Sequence, residues 1–267
     1  MIAGSALLFC PGDRPDRYEK ALDRADAVII DLEDAVAFGD KAAARAALIA
    51  TPLDPARVIV RVNPRSSEFF ADDFDAVQRT NYRKLMLPKA ETSTDLRGLE
   101  GYEVMALCET PLGVQGADAL AADPRVAALT WGAEDLVAAI GGFKSRTPDG
   151  RFGQVAEYAR SRVLIAAAAA GKPAYDTVHP DLADDAGLRA EAAEAAAAGF
   201  RGAMCLHPRQ VEILRDAYRP DARAVEWASG VLAAAAEAPS GVFAYNGQMI
   251  DEPLLRQARR IAEVARE

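Results

Sequence analysis

Short apolar or β-branched runs alternate with longer, alanine-rich amphipathic stretches from one end of the chain to the other, and few folds accommodate that rhythm. The runs predict strands over 6–10, 27–30, 58–62, 84–87, 104–108, 127–131, 174–177 and 203–206. The stretches that follow them predict helices over 14–24, 40–49, 68–79, 94–99, 116–122, 152–170, 185–198 and 208–217. A strand without polar alternation is buried on both faces, the situation of parallel strands covered by crossover helices. Such crossovers are right-handed, which fixes the winding. Eight βα units in roughly 220 residues fit an α/β fold closed into a (β/α)8 barrel better than an open doubly wound sheet, which more often has fewer strands.

Beyond the barrel, a helix is expected over 221–237, just after Pro220, then a loop over 238–247 and a terminal helix from Glu252. A Gly- and Pro-containing loop over 141–150 interrupts the sixth unit and reads equally as a substrate gate or as a plain surface insertion. No internal repeat longer than the βα unit is evident. The expectation is one domain, 1–267, with the barrel at about 5–218 and a C-terminal helical extension over 221–267.

Composition narrows the function classes. With 51% apolar and 27% charged residues the chain is globular, and a net charge of −9 argues against nucleic acid or an anionic membrane as partner. Cys10, Cys108 and Cys205 are far apart and each falls in a predicted strand, so buried free thiols in a reducing cytoplasm are expected rather than disulfides or zinc. Two histidines, His179 and His207, are too few for a histidine-rich metal site. The apolar stretch 2–9 is too short to span a bilayer and has no basic segment before it, and 163–170 sits among polar residues at helical spacing.

A barrel of this kind carries its active site at the carboxyl ends of its strands. Those ends deliver Pro11-Gly12-Asp13-Arg14, then Asp31, Glu33 and Asp34, then Arg61 and Asn63, and then Lys89, Glu109, Asp135, Asp176 and His207. Any one of these is ordinarily a solvated loop charge; a polar group at all eight ends is harder to dismiss. Carboxylates without Cys or His pairs suit a hard divalent cation such as Mg2+, which takes one or two carboxylates and leaves its other positions to water and substrate. Glu109 and Asp135 supply that pair, and Arg61 offers a fixed positive fork to a carboxylate or developing enolate.

Several segments together resemble a known family. They are Leu8-Phe9-Cys10-Pro11-Gly12-Asp13-Arg14-Pro15, the run from Ala25 to Val36 containing Asp31-Leu32-Glu33-Asp34, and Lys41 to Arg45. Val60-Arg61-Val62-Asn63, Leu87-Pro88-Lys89, Cys108-Glu109-Thr110-Pro111 and Trp131-Gly132-Ala133-Glu134-Asp135-Leu136 follow in order. Gly199-Phe200-Arg201-Gly202, His207-Pro208-Arg209-Gln210 and Gly247-Gln248-Met249-Ile250-Asp251 complete the set. The chain resembles the citrate lyase β-subunit-like (CitE-like) proteins of the HpcH/HpaI aldolase/citrate lyase superfamily of TIM barrels. It departs from that pattern at Cys108, Ala203 and Asn246.

The resemblance implies Mg2+ on Glu109 and Asp135, with Arg61 and Glu109 facing the substrate. It implies a 3-hydroxyacyl thioester such as citryl-, malyl- or citramalyl-CoA, cleaved to a 2-oxo acid and an acetyl thioester, or the reverse condensation. It further implies that Asp251 of a neighbouring subunit moves the proton, in a homotrimer; Asp251 also reads as the N-cap of the helix entering at Glu252 and Pro253. Asp31, Glu33 and Lys89 would tune the site electrostatically or bond one another across strand ends. His207 reads as fixing its own loop rather than as a general base, and His179 carries little weight. Two other readings stay open: a CoA-independent, pyruvate-type class II aldolase, and a non-catalytic accessory subunit that binds an acyl carrier.

Overall fold

The computed structural model describes residues 4–237 and 241–266. It divides into two compact units, Met1–Arg215 and Asp216–Glu267. Residues 2–3 of the expected apolar stretch, and 238–240 of the expected loop, lie outside the described residues.

In the first unit eight parallel strands close into a barrel in sequential order: β1 (Ala6–Pro11), β2 (Ala27–Asp31), β3 (Val58–Arg61), β4 (Lys84–Leu87), β5 (Glu103–Cys108), β6 (Val126–Trp131), β7 (Ala174–Asp176) and β8 (Gly202–Cys205), with β1 pairing β8. Around them run α1 (Tyr18–Arg24), α2 (Lys41–Ala50), α3 (Phe70–Gln78), α4 (Pro111–Gln115), α5 (Ala117–Ala122), α6 (Ala133–Ala139), α7 (Gln154–Ala169), α8 (Asp185–Ala198) and α9 (Pro208–Tyr218). The predicted strands and their order are therefore those observed, with no end differing by more than one residue.

One buried cluster takes a residue from every strand: Leu7, Ala27 and Ile29, Ile59, Met86, Met105 and Leu107, Ala128, Tyr175, and Met204, with Phe9 packed against it. Neighbouring side chains on a strand point to opposite faces, so this cluster is the barrel interior and Val28, Ile30, Val58 and Val60 face the helices. The same parity aims Asp31, Arg61 and Glu109 inward at the mouth, two residues beyond Ile29, Ile59 and Leu107.

One expected helix in this unit is corrected, and two short helices are added to those expected. Residues 94–99 form turns rather than a helix. Asp95 turns the chain by accepting the N–H groups of Glu91 and Thr92, and Gly98 and Gly101 take positive φ of 80° and 86°. The expected helix over 116–122 is preceded by α4, opened by Pro111 and capped by Thr110, whose hydroxyl accepts the Gly113 N–H at 3.0 Å. In addition α6, which carries Asp135, stands in the β6–α7 connection where no helix is predicted.

The second unit contains α10 (Ala222–Glu237), a hairpin of β9 (Phe243–Tyr245) and β10 (Gln248–Ile250), and α11 (Glu252–Val264). Its core is Ala228, Val231, Ile250, Leu255 and Ala258. The hairpin replaces the described part of the loop expected over 238–247. Its two-residue turn is Asn246-Gly247, both at positive φ (48° and 79°), the combination a tight hairpin demands. Among the described residues no helix is long and apolar enough to cross a membrane.

Candidate active site

The mouth of the barrel holds a chain of ion pairs. Arg61, at the end of β3, lays its guanidinium on Asp31 at the end of β2: Nε donates to Oδ1 at 2.7 Å and Nη2 to Oδ2 at 2.6 Å. Its Nη1 lies 3.1 Å from Glu33 Oε2, and its plane sits 4.7 Å from the centre of the Phe9 ring. Burial alone would weaken the Arg61 cation, but the bonds and charge of Asp31, with Glu33 behind them, raise its pKa. Asp31 also accepts the N–H groups of Glu33 and Ala35, both at 2.9 Å, so the loop after β2 winds around the carboxylate that fixes Arg61.

That loop is held from beneath by Lys41, whose buried ammonium donates to the Leu32 carbonyl (2.8 Å), the Glu33 carbonyl (2.7 Å) and Asn63 Oδ1 (3.0 Å). Asn63 donates in turn to the Leu32 carbonyl and to Asp73, and Asp73 meets Arg45 at 3.1 Å. Asn63 therefore supports the rim rather than facing substrate. Lys41 belongs to a family-like segment that assigns it no role, and a lysine in a predicted helix gives no sign that its ammonium will find three acceptors in the interior.

Lys89, just beyond β4, joins this group to the next two strands. Its Nζ is 2.9 Å from Glu33 Oε1, 3.6 Å from Glu109 Oε1 and 3.5 Å from Asp135 Oδ1. Burial acts against the ammonium, and the three carboxylates outweigh it and raise its pKa. Glu33 is raised by burial and pulled back by Arg61 and Lys89. Glu109 is 3% exposed, its Oε1 accepting the Lys89 N–H at 3.1 Å. Burial, with the negative charge of Asp135 added, pushes its carboxyl up to about 8. Asp135 sits in the first turn of α6 with its side chain 42% exposed. Gly132 backs directly onto Glu109: a Cβ there would come within 2.7 Å of Glu109 Oε2 and 2.9 Å of Glu109 Cβ. Glycine there leaves the space the Glu109 carboxylate occupies.

Within this network the four carboxylates of Asp31, Glu33, Glu109 and Asp135 meet the two cations Arg61 and Lys89, a formal excess of two negative charges. Asp31 and Glu33 are already engaged by Arg61, so Glu109 and Asp135 are the pair that could hold a divalent cation. Among the described residues no three Asp, Glu, His or Cys side chains could hold a metal by themselves. An all-oxygen pair that leaves the other positions to water and substrate is the Mg2+ pattern, and the donor set present here fits it.

Other residues of the expected rim are placed elsewhere. Asp176 lies on the parity opposite Tyr175 and faces the helices, buried between Arg160 (2.8 Å) and the Trp131 indole N–H (2.7 Å). Exposed His207 accepts the Arg209 N–H on Nδ1 at 3.2 Å, in keeping with fixing its loop. His179 is buried, with Nδ1 3.1 Å from Glu191. The 141–150 segment is fastened at its base: Arg146 bridges to Phe152, stacks on its ring at 4.1 Å and bonds Glu191 at 2.5 Å, while Phe143 stands fully exposed. In the second unit Asp251 caps α11, accepting the Leu254 N–H at 3.4 Å.

Residues 5–208 match the model of the HpcH/HpaI aldolase/citrate lyase family. The chain is 47% identical over 266 residues to the citrate lyase subunit beta-like protein of Mycobacterium tuberculosis, an alignment covering 99% of this chain and 97% of the relative. The crystal structure of CitE from the same organism, in complex with magnesium, acetoacetate and coenzyme A, superposes with a TM-score of 0.96 at 46% identity over 99% of each chain. The human mitochondrial citramalyl-CoA lyase is 31% identical over 298 residues, covering 99% of this chain and 86% of that protein.

Proposed function

We infer, for a chain that belongs to the HpcH/HpaI aldolase/citrate lyase family, a Mg2+-dependent carbon–carbon lyase acting on a CoA thioester of a 3-hydroxy acid. The observation that carries this reading is the juxtaposition of Glu109 and Asp135 at the barrel mouth, within a network whose formal charge falls two short of neutrality. Glu109 and Asp135 would hold the ion. When bound, Mg2+ supplies electrophilic polarisation of the oxygens of a 2-oxo or 2-hydroxy acid.

The chain's own groups do the rest. Asp31 takes two of the five Arg61 N–H groups and Glu33 stands 3.1 Å from Nη1, so a rigidly held guanidinium keeps N–H groups for a substrate carboxylate or thioester oxygen. In cleavage the substrate hydroxyl gives up its proton and becomes the carbonyl of the 2-oxo acid. The electrons of the broken carbon–carbon bond pass into the thioester as an enolate, and Arg61 stabilises that charge. A proton added to the enolate carbon gives the acetyl thioester; Asp251 of a neighbouring copy is proposed to carry it, in a homotrimer. Condensation of an acetyl thioester with a 2-oxo acid is the same sequence reversed.

The substrate partners are then small molecules, an acyl-CoA and a 2-oxo acid. Residues 1–267 are taken as one functional domain, a reading supported by similarity to a solved relative over 99% of both chains. Three buried free thiols support a reducing, cytoplasmic setting. The test is a panel of citryl-, malyl- and citramalyl-CoA assayed for release of 2-oxo acid with Mg2+ and with EDTA. Metal-dependent cleavage of at least one supports the lyase; turnover of free hydroxy acids alone, or none at all with no Mg2+-dependent ligand binding, overturns it.

A further inference from the structure

Among the described residues only Lys89 and Asn246 are non-glycine residues at positive φ, 52° and 48°. Asn246 is in a hairpin turn, where asparagine tolerates that conformation. Lysine has no such local compensation, and a strained backbone at a rim of charges calls for a structural reason. The geometry supplies one. In this conformation Lys89 reaches Glu109 from both ends, its N–H donating to Oε1 at 3.1 Å and its Nζ standing 3.6 Å from the same oxygen.

The ammonium stands almost equally far from Glu109 and Asp135, at 3.6 and 3.5 Å, while its short contact, 2.9 Å, is to Glu33. Glu109 and Asp135 thus face a cation without being tied to it by direct hydrogen bonds, and Glu33 provides a place for that cation to stay. Two like charges near each other, one of them 3% exposed, would otherwise repel and splay.

We propose that Lys89 is a built-in counter-cation, anchored on Glu33 and holding Glu109 and Asp135 together before Mg2+ binds, so that this one ammonium sets how tightly the site takes the metal. The proposal rests on the assignment of Glu109 and Asp135 as the ligand pair. Lys89 is a positioning residue in it, acting through the carboxylates. A fixed positive charge beside the pair opposes a divalent cation, so removing it trades preorganisation of the metal-free site for affinity.

The experiment is calorimetric titration with MgCl2 of the wild-type protein, Lys89→Gln and Lys89→Arg, all at the same alkaline pH of about 9. Melting is followed in EDTA and in excess Mg2+. Lys89→Gln is expected to bind Mg2+ about tenfold more tightly than wild type, and to melt lower in EDTA with the difference closed by Mg2+. Lys89→Arg, which keeps the charge, is expected within about threefold of wild type. Equal or weaker binding by Lys89→Gln overturns the proposal. A Lys89→Gln protein that folds only when Mg2+ is added supports it in stronger form, and one that folds in neither condition overturns it, because metal then fails to replace the missing charge. Absence of Mg2+ binding by the wild type sinks the ligand assignment instead, and so distinguishes the two failures.

Discussion

Arg61 and Asp31, the last residues of adjacent parallel strands, are directly paired in the sheet register and also share two side-chain hydrogen bonds of 2.7 and 2.6 Å. The barrel's own pleat thereby delivers an arginine to the mouth already oriented by a carboxylate. Asp31→Asn keeps the shape but removes the charge that locks the fork. It is expected to lower kcat/KM about 10- to 100-fold, with Arg61→Ala more severe, as steady-state kinetics on the thioester will read. Arg61→Ala also strands Asp31 and Glu33, so its melting temperature falls by several degrees, a buried pair broken on one side costing about 3–5 kcal/mol.

Glu109 makes the metal-free protein sensitive to pH in a defined direction. Burial raises its carboxyl from the ordinary 4.5 to about 8 in the folded chain, so as pH rises the unfolded chain releases its proton first. The stability tied to this group is complete below about 4.5, drains away above it, and is gone above about 8. Glu109→Gln cannot ionise. In EDTA at about pH 8.5 it is expected to melt several degrees above wild type, at about 2–4 °C per kcal/mol, with the gain shrinking toward about pH 5. A Glu109→Gln protein that melts no higher than wild type at the alkaline end contradicts the placement of this carboxylate.

Gly132→Ala tests the space around the same side chain. The glycine φ is −124° with ψ 114°, open to alanine, so the backbone tolerates the change, but the new methyl meets the Glu109 side chain at 2.7 and 2.9 Å. The protein should fold while Mg2+ affinity drops about tenfold or more as the carboxylate is pushed aside. Unchanged affinity would show that the ion does not use this carboxylate as it stands.

Asp251→Asn and Arg61→Ala are each expected to remove most turnover. When the two inactive proteins are unfolded, mixed and reassembled, sites with both wild-type residues reform if Asp251 serves a neighbour's barrel. Partial recovery of activity is the expected result, and none in verified mixed oligomers argues against the shared site. Asp251 also caps α11, so Asp251→Ser, which keeps a capping oxygen, separates the cap from the chemistry.

Much of this site is legible in the sequence because barrels obey parity. Once Ile29, Ile59 and Leu107 are inward, Asp31, Arg61 and Glu109 two residues later must be inward as well. The same rule read from Tyr175 would have turned Asp176 away from the rim, toward Arg160 and Trp131, where the structure puts it. The Asn246-Gly247 hairpin is likewise legible in its turn residues, although the expectation there is a loop. What could not be read is of another kind. The left-handed backbone of Lys89, the burial of Lys41 among three acceptors, and the clearance Gly132 gives Glu109 all depend on segments distant in sequence. The turns over 94–99 defeated a periodicity argument because six residues barely exceed one helical turn and a half.

The most direct test is calorimetric titration of Mg2+ into wild-type protein, Glu109→Gln and Asp135→Asn at matched pH, with circular dichroism confirming that all three are folded. One ion per chain on the wild type, and a loss of about 100-fold or more in affinity in each variant, is the predicted result. Wild-type affinity in both variants would contradict the account, because the ion would then be held by other residues.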